Sequence, residues 1–500
     1  MNKLYFVAIF LLGILSMIGM SVSAENATQK VFQGSPVINS PVIVGNYPST
    51  PFLFYIPTSG ERPMKWSAVK LPKGLNLDTE TGIISGTVTA KGDYTVTLKA
   101  KNTQGVCERK LIIRIGDELL LTPPMGWNSW NTFGRHLTEE LVLQTADAMI
   151  ANGMRDLGYS YINIDDFWQL PERGIDGHLQ IDRTKFPRGI KYVADYLHER
   201  GFKLGIYSDA ADRTCGGVCG SYGYEEVDAK DFASWGVDLL KYDYCNAPAG
   251  RVEAMERYAK MGKALRATNR SIVFSICEWG QREPWKWAKQ VGGQLWRVSG
   301  DIGDVWYRDA NHIGGLRGIL NILEINAPLG EYAGPAGWND PDMLVVGIGG
   351  KSMSIGYESE GCNQEQYNSH FILWCMMASP LLCGNDVRNM NDSTLHVLLD
   401  AGLIAINQDV LGRQAERSIR SDYYDIWVKP LADGRKAIAC FNRMSSPQTV
   451  VLNDKTVAGL AFEQIYSLDN RLMQNNGDSK ELIVKLAPYQ CKAYIFGKTK

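Results

Sequence analysis

The chain has 500 residues, of which 45% are hydrophobic and 21% charged, a composition typical of globular proteins. Lysine and arginine total 52 against 54 aspartates and glutamates, and the net charge of −2 excludes nucleic-acid binding driven by bulk positive charge. At roughly 150 residues per domain, the length predicts about three domains. The 13 tryptophans and 23 tyrosines suit either ordinary cores or the flat apolar platforms on which sugar rings stack.

The first 24 residues have the pattern of a signal peptide. Lys3 precedes a mostly apolar run over residues 4–20, and the small residues VSA (22–24) form a cleavage site. A membrane anchor is the alternative, and it is disfavoured because the run is slightly short for a span. We therefore expect a soluble exported protein, periplasmic or secreted, without a membrane span.

Residues 35–117 alternate apolar and polar side chains in short runs, as β-strands do. The runs YTVTLKAKN (94–102) and RKLIIRIGD (109–117) flank a hairpin turn and predict a small β-sandwich. The stretch LPKGLNLDTETGIISGTVTAKGDYTVTLKAKNTQG (71–105) resembles the immunoglobulin-like domains appended to bacterial exported proteins. Because such a fold does not specify a function, we expect a spacer rather than a carbohydrate-binding module.

Between residues 120 and 410, apolar runs alternate with helix-like segments. The runs are MGWNSW (125–130), YSYINIDDFW (159–168), FKLGIYSDA (202–210), VDLLKYDYC (237–245), SIVFSICEW (271–279), GQLWRVSGD (293–301), AGPAGWNDPDML (333–344) and SPLLCGND (379–386). This alternation predicts a (β/α)8 TIM barrel. A doubly wound sheet is the alternative, but no glycine-rich phosphate loop follows the first strand. Residues 412–500 lose the helical pattern and predict a C-terminal antiparallel β-sandwich.

The residues that end the predicted barrel strands are the candidates for a site, because barrel active sites lie at the carboxyl ends of the strands. They are rich in carboxylates and tryptophans: Trp127, Asp165, Asp166, Trp168, Tyr207, Asp209, Lys241, Asp243, Glu278, Trp279, Arg297, Asp301, Asp304, Trp338, Asp340 and Asp342. Two carboxylates on either side of a sugar can cleave a glycosidic bond, whereas a phosphate substrate requires more arginine and lysine.

A divalent metal is an alternative use of four of these carboxylates, namely Asp165, Asp166, Asp301 and Asp304. The neighbouring tryptophan and lysine side chains fit oxygen-rich metal coordination badly, so we expect no metal.

Seven motifs occur in order at barrel-strand spacing. They are LTPPMGWNSWN (121–131), YINIDDFW (161–168), LGIYSD (204–209), CGSYGYEEVDAKDFASWGVDLLKYDYC (219–245), CEWG (277–280), WRVSGDIGD (296–304) and GWNDPDML (337–344). By these motifs the chain resembles family 27 of the glycoside hydrolases, the α-galactosidases, from residue 121 into the C-terminal β-domain. The resemblance implies a retaining, exo-acting α-galactosidase that hydrolyses terminal non-reducing α-D-galactosyl residues of oligosaccharides or polysaccharides. It implies no metal and no organic cofactor.

The resemblance implies Asp243 as the nucleophile and Asp301 as the general acid/base. Lys241 lies two residues before Asp243, so both side chains share one strand face, and its charge is expected to keep Asp243 ionised. A carboxylate at Glu278 is expected to contact the free 2-hydroxyl of galactose. Trp127 is expected to form the apolar wall of the pocket. The other implied sugar contacts are Asp165, Asp166, Tyr207, Trp279 and Arg297.

The resemblance also implies a disulfide between Cys215 and Cys245 at the pocket edge, for which Cys219 is a competing partner. Many relatives have cysteine where this chain has Phe167, so the second disulfide common in the family is not expected here.

Two other functions stay open at this level. Some family members cleave β-L-arabinopyranosides and others isomaltosides, but the intact pair Asp165 and Asp166 favours galactose. A catalytically silent sugar-binding protein is less favoured, because both catalytic carboxylates are present. The sequence makes no prediction about the oligomeric state.

Overall fold

A computed structural model describes residues 32–497 apart from 309–315, 353–356, 458, 461, 463, 469–471 and 474–479. The expected signal peptide, residues 1–24, lies outside the described residues. Among the helices in the described part of the chain, none has the length and apolar character needed to cross a membrane.

The amino-terminal β-region consists of short strands in two main sheets. The strands are β1 (Val37–Ile38), β2 (Ile43–Asn46), β3 (Pro51–Tyr55), β4 (Thr58–Ser59), β5 (Lys65–Val69), β6 (Leu75–Leu77), β7 (Ile83–Thr87), β8 (Gly92–Asn102) and β9 (Gly105–Ile115). One sheet has the order β2-β9-β8-β5 and the other β3-β7-β6. Alternate residues of both sheets, such as Trp66, Ile84 and Val96, fill a common core. The prediction of an immunoglobulin-like β-region is confirmed.

Eight parallel strands form the barrel of the middle region. They are β10 (Met125–Asn128), β11 (Tyr161–Asn163), β12 (Lys203–Asp209), β13 (Leu239–Asp243), β14 (Val273–Ile276), β15 (Leu295–Arg297), β16 (Trp338–Asp340) and, after the hairpin of β17 (Lys351–Ser352) and β18 (Tyr357–Glu358), β19 (Leu381–Cys383). The strands β10 to β16 pair in parallel in chain order, and β19 pairs with β10. Leu344 bridges in parallel to Cys383 and closes the ring. The barrel prediction is confirmed, and the doubly wound alternative is wrong.

Helices surround the barrel strands. They are α1 (Trp130–Phe133), α2 (Glu139–Ala151), α3 (Ile190–His198), α4 (Glu225–Trp235), α5 (Arg251–Arg266), α6 (Ile319–Asn326), α7 (Gln364–Met376), α8 (Asp392–Leu398) and α9 (Ala401–Asn407). The Thr138 side chain accepts from the Leu141 amide and starts α2, and Gly236 ends α4 with a left-handed φ of 89°. Between β14 and β15 the chain makes two short 3-10 turns instead of an α-helix.

The carboxy-terminal region is a second β-structure. Its strands are β20 (Glu416–Arg420), β21 (Tyr424–Pro430), β22 (Lys436–Asn442), β23 (Gln448–Asn453), β24 (Ile465–Tyr466), β25 (Glu481–Leu486) and β26 (Cys491–Phe496). One sheet has the order β20-β21-β22-β26-β24, while β23 pairs with β25. Helix α7 packs against β22 and β26, and this contact attaches the region to the barrel. The predicted antiparallel β-sandwich is confirmed.

Candidate active site

The candidate site lies at the carboxyl ends of the barrel strands, where β12 and β13 bring four polar side chains together. In the register of these strands Tyr207 is opposite Lys241, and Asp209 is opposite Asp243. Residues two apart on a strand share a face, so all four point to the same side. The spacing in the sequence therefore predicts this part of the site correctly.

Asp243 is buried and held at both carboxylate oxygens. Its Oδ2 accepts a hydrogen bond of 3.0 Å from the Tyr207 hydroxyl, and its Oδ1 accepts one of 3.0 Å from the Tyr244 amide. Burial raises the pKa of Asp243 to about 6, while the positive charge of Lys241 lowers it and the carboxylate of Asp301 raises it. The carboxylate is therefore fixed in orientation by two hydrogen bonds.

Lys241 links β13, the strand of Asp243, to the two aspartates that follow β11. Its Nζ donates to Asp165 Oδ2 at 2.8 Å, and Asn128 of β10 donates to the same oxygen at 2.9 Å. Asp166 accepts instead from the Gly216 and Phe167 amides, each at 2.8 Å. Burial raises the pKa of Asp166.

Arg297 holds two carboxylates on the opposite side of the site. Its Nη2 lies 3.0 Å from both Asp301 Oδ1 and Asp342 Oδ2. The guanidinium is buried, whereas the Asp301 side chain is 41% exposed. Asp301 therefore combines a fixed position with access to solvent, which an acid that exchanges protons with water needs.

A disulfide joins Cys215 and Cys245 at the edge of this group. The expected pairing is confirmed, and Cys219 is a free buried cysteine. Buried Asp209 accepts hydrogen bonds of 2.9 Å from the Ala211 and Cys245 amides, and burial together with the nearby Asp243 raises its pKa well above the usual range.

The sulfur atoms of this disulfide and carboxylate oxygens of Asp209 and Asp243 lie within 4.8 Å of one another. Oxidised cysteine has no thiolate, so the cluster does not make a metal site. In the described residues the four aspartates of the metal alternative are not gathered either. Asp304 instead binds the Gly350 and Cys362 amides and the Tyr367 hydroxyl, and so fixes a loop.

Trp127 does not line the pocket, contrary to the sequence-based expectation. Its indole is fully buried, donates from Nε1 to the Asn385 carbonyl and contacts the Phe133 ring. The neighbouring Asn128 reaches Asp165, and adjacent residues of a strand point to opposite sides, so Trp127 faces the helical layer. The prediction that Trp127 forms the apolar wall is wrong.

Trp130, three residues later, contacts Phe167, the residue that follows the two aspartates after β11. It is partly exposed and stacks parallel on Phe167, with 6.2 Å between ring centroids and 8° between planes. Sequence reasoning missed Trp130 because this residue follows the end of the strand. The polar Asn128 was the available signal: if Asn128 points into the site, the adjacent Trp127 must point away from it.

Glu278 is likewise directed away from the carboxylate group. Its buried Oε2 accepts from the Arg282 amide at 2.8 Å and from the Arg282 guanidinium at 3.0 Å. Burial raises its pKa to about 7. Cys277 takes the inward position, with Sγ 3.8 Å from Arg297 Nη1. The expectation that Glu278 contacts the sugar is therefore wrong. The alternation of side chains along β14 directs Cys277 into the site and Glu278 away from it.

Trp279 shares the parity of Cys277 and is partly exposed, with a left-handed φ of 57°. The site therefore joins these residues: Asn128, Trp130, Asp165, Asp166, Tyr207, Lys241, Asp243, Cys277, Trp279, Arg297, Asp301 and Asp342. Paired carboxylates and partly exposed indoles at the mouth of a (β/α)8 barrel define a glycoside hydrolase.

Comparisons with known proteins identify the family. A family model described as "Alpha galactosidase A" matches residues 122–409, and one described as "Alpha galactosidase C-terminal beta sandwich domain" matches residues 421–496. A model described as "Putative Ig domain" matches residues 35–114. The chain belongs to the α-galactosidases, family 27 of the glycoside hydrolases.

Individual relatives agree with this. The chain is 42% identical to an alpha-galactosidase of Cyamopsis tetragonoloba over 379 residues, which cover 75% of this chain and 86% of that protein. A solved structure described as a "putative alpha-galactosidase" from Bacteroides fragilis NCTC 9343 is 83% identical, with a TM-score of 0.91, over 94% of this chain and 100% of that one. Alpha-galactosidase I of Mortierella vinacea is 33% identical, with a TM-score of 0.71, over 77% and 99% of the two chains.

Proposed function

We propose that the protein is a retaining, exo-acting α-galactosidase that releases terminal α-D-galactosyl residues from oligosaccharides or polysaccharides. The observation that carries the proposal is the pair formed by the buried Asp243, held at both oxygens, and the solvent-accessible Asp301. Retaining hydrolysis needs one carboxylate fixed against the anomeric carbon and a second that water can reach.

In the first step, a carboxylate oxygen of Asp243 attacks the anomeric carbon, and the glycosidic C–O bond breaks. Protonated Asp301 gives its proton to the leaving oxygen, and a β-linked galactosyl-enzyme forms. In the second step, Asp301 takes a proton from water, which attacks the same carbon, releases α-galactose and frees Asp243. The hydrogen bond from Arg297 holds the Asp301 carboxylate in position for both steps.

The remaining residues bind the sugar in this proposal. Asp165 and Asp166 accept hydrogen bonds from the outer hydroxyls, and Lys241 donates to one of them. Trp130 replaces Trp127 as the apolar wall. Tyr207, Cys277, Trp279 and Arg297 line the rest of the pocket.

Substitution of each carboxylate tests the mechanism. Asp243→Asn removes the nucleophile and is expected to abolish turnover of an aryl α-galactoside, while the matched change Asp195→Asn on exposed α3 keeps full activity. Asp301→Asn is expected to slow substrates with poor leaving groups more than activated aryl ones. Full activity of Asp243→Asn would overturn the assignment.

The substrate alternatives are separable by direct assay. Parallel rates on aryl α-galactoside and aryl β-L-arabinopyranoside distinguish the two sugars, and the proposal expects the first to be faster. Sugar binding without turnover by the pure protein would favour the silent binding function instead. Galactose release from raffinose-type sugars, galactomannan and host-type glycans identifies the natural substrate class.

We also propose that residues 1–24 are removed on export, and that the mature chain is divided into domains at 35–117, 120–410 and 412–500. The family matches at 35–114, 122–409 and 421–496 support this division. The mass of the mature protein recovered from the periplasm or medium tests the cleavage after Ala24.

A further inference from the structure

A cavity of about 250 Å³ lies at the end of the barrel opposite the carboxylates. Its lining includes residues that begin the barrel strands, such as Met125, Tyr161 and Lys203, and residues of β2 and β3 from the amino-terminal β-region. Since the active site occupies the other ends of the same strands, this cavity is separate from the catalytic chemistry.

The walls of the cavity are polar and apolar in about equal measure, and their charged side chains include more basic than acidic groups. Apolar surface comes from Pro41, Ile43, Pro51, Leu119 and Leu121, among others. The charged lining residues are Arg155, His198, Lys203, Asp238 and Arg270.

The carboxylate among the charged lining residues is already paired. Asp238 binds Arg270 at 2.5 Å, His198 at 2.7 Å and the Leu204 amide at 2.8 Å. Three hydrogen-bond donors already occupy this carboxylate, so it acts on Lys203 through space and not by a direct ion pair.

Two cations of the lining have donors without a protein acceptor. Among the described residues no carboxylate forms an ion pair with Lys203, whose Nζ lies 5.5 Å from the centroid of the Tyr161 ring. Burial lowers the pKa of Lys203. Arg155 donates from Nη1 to the Arg200 carbonyl and lies over the Tyr55 ring, but its buried Nε has no partner in the described part of the chain.

We propose that this cavity is a binding site for a small organic anion, a single carboxylate on an apolar body, with Lys203 as its charge partner. The apolar walls take the body of the ligand, and the unpaired ammonium takes the carboxylate. Phosphate fits less well, because Asp238 already engages the Arg270 guanidinium and phosphate has no apolar body to contact the apolar part of the wall.

Such a ligand touches both the β-region and the barrel, so it binds the docked, folded protein and not the unfolded chain. Binding of that kind raises the unfolding temperature in a saturable way. Activity on an aryl α-galactoside stays unchanged, because the cavity is at the far end of the barrel.

The test is thermal unfolding of the full mature protein with benzoate as the probe. Benzoate is expected to raise the Tm by about 2 °C at saturation. Benzyl alcohol, which lacks the charge, and inorganic phosphate, which lacks the apolar body, are expected to give no rise. Equal rises with benzyl alcohol, or no rise with benzoate, would overturn the proposal.

Two variants locate the site. Lys203→Met removes the charge with little change in length and is expected to abolish the benzoate-dependent rise, whereas Lys203→Arg keeps it. The matched change Lys191→Met, on an exposed lysine paired with Asp195, leaves the rise intact. If the benzoate-dependent rise in Tm survives in Lys203→Met, the anion binds elsewhere and the proposal is contradicted. If Lys203→Met does not fold, the comparison of the three probes on the wild-type protein still tests the proposal.

Discussion

At the scale of single residues, Lys241 opposes the effect of burial on the charge of Asp243. It donates to Asp165 at 2.8 Å and lowers the pKa of Asp243, which burial raises to about 6. Asp243 must be ionised to act as the proposed nucleophile, so kcat/KM is expected to rise with pH through an acid limb near pH 6.

Replacement of Lys241 by methionine tests this charge effect. The loss of a neighbouring positive charge raises the pKa of Asp243, so the acid limb of kcat/KM is expected to move to higher pH by about one unit. The measurement is the pH profile on an aryl α-galactoside, with Lys191→Met as the control that leaves the limb in place. An unchanged limb would mean that Lys241 acts on the substrate alone.

The two tryptophans of the GWNSW motif are expected to respond differently to substitution. Trp127 is fully buried, so Trp127→Ala leaves a cavity and is expected to cost about 3–5 kcal/mol in the free energy of unfolding. Trp130 is partly exposed and contacts Phe167, so Trp130→Ala is expected to raise KM at least tenfold, a loss of about 1.4 kcal/mol in binding, with a smaller effect on stability. Denaturant unfolding and steady-state kinetics on both variants separate the two roles. A normal KM for Trp130→Ala would mean that another residue forms the apolar wall of the pocket.

At the scale of elements, the alternation of strand residues explains what the sequence could predict. The pairs Tyr207–Asp209 and Lys241–Asp243 lie within strands, and their inward direction follows from a period of two. Trp127 and Glu278 belong to motifs that continue past the end of a strand, namely β10 and β14. Near these strand ends, the pairing with neighbouring strands decides which residue points inward. Pairing register depends on contacts distant in sequence, such as Asn128 with Asp165, so the motif alone could not reveal it.

The turns after β12 and β13 are joined by the disulfide between Cys215 and Cys245. The bridge spans 30 residues, for which chain entropy predicts a contribution of about 3–4 kcal/mol to stability. Asp209 also binds the Cys245 amide beneath the bridge.

Replacement of both cysteines by serine is therefore expected to lower the Tm and also kcat, because the bridge packs against Asp243, the proposed nucleophile, with Cys215 Sγ 3.5 Å from Asp243 Oδ2. The matched control is Cys107→Ser, a partly exposed free cysteine of the β-region, which should leave both values unchanged. A double variant with normal kcat and reduced Tm would assign the bridge to stability alone.

At the scale of the whole molecule, the amino-terminal β-region is fixed to the barrel rather than tethered. Asp156, which lies between α2 and β11, accepts from the Tyr55 hydroxyl at 2.6 Å and from Arg62 at 2.7 Å. At the barrel base, the Tyr47 amide donates to the Ser271 hydroxyl at 3.0 Å. The β-region is thus docked on the lower end of the barrel by direct hydrogen bonds.

Removal of the Asp156 carboxylate tests whether this contact stabilises the entire enzyme. Asp156→Ala leaves the Tyr55 hydroxyl and the Arg62 guanidinium without their acceptor, which is expected to cost about 1–3 kcal/mol. The variant should show a lower Tm and faster proteolysis near residue 117, with unchanged KM because the active site is at the other end. Asp93→Ala, which breaks an exposed ion pair with Arg114 inside the β-region, is the matched control and should change little. If Asp156→Ala instead unfolds at the same temperature as the wild type, the β-region contributes nothing to the stability of the barrel and functions as an independent module.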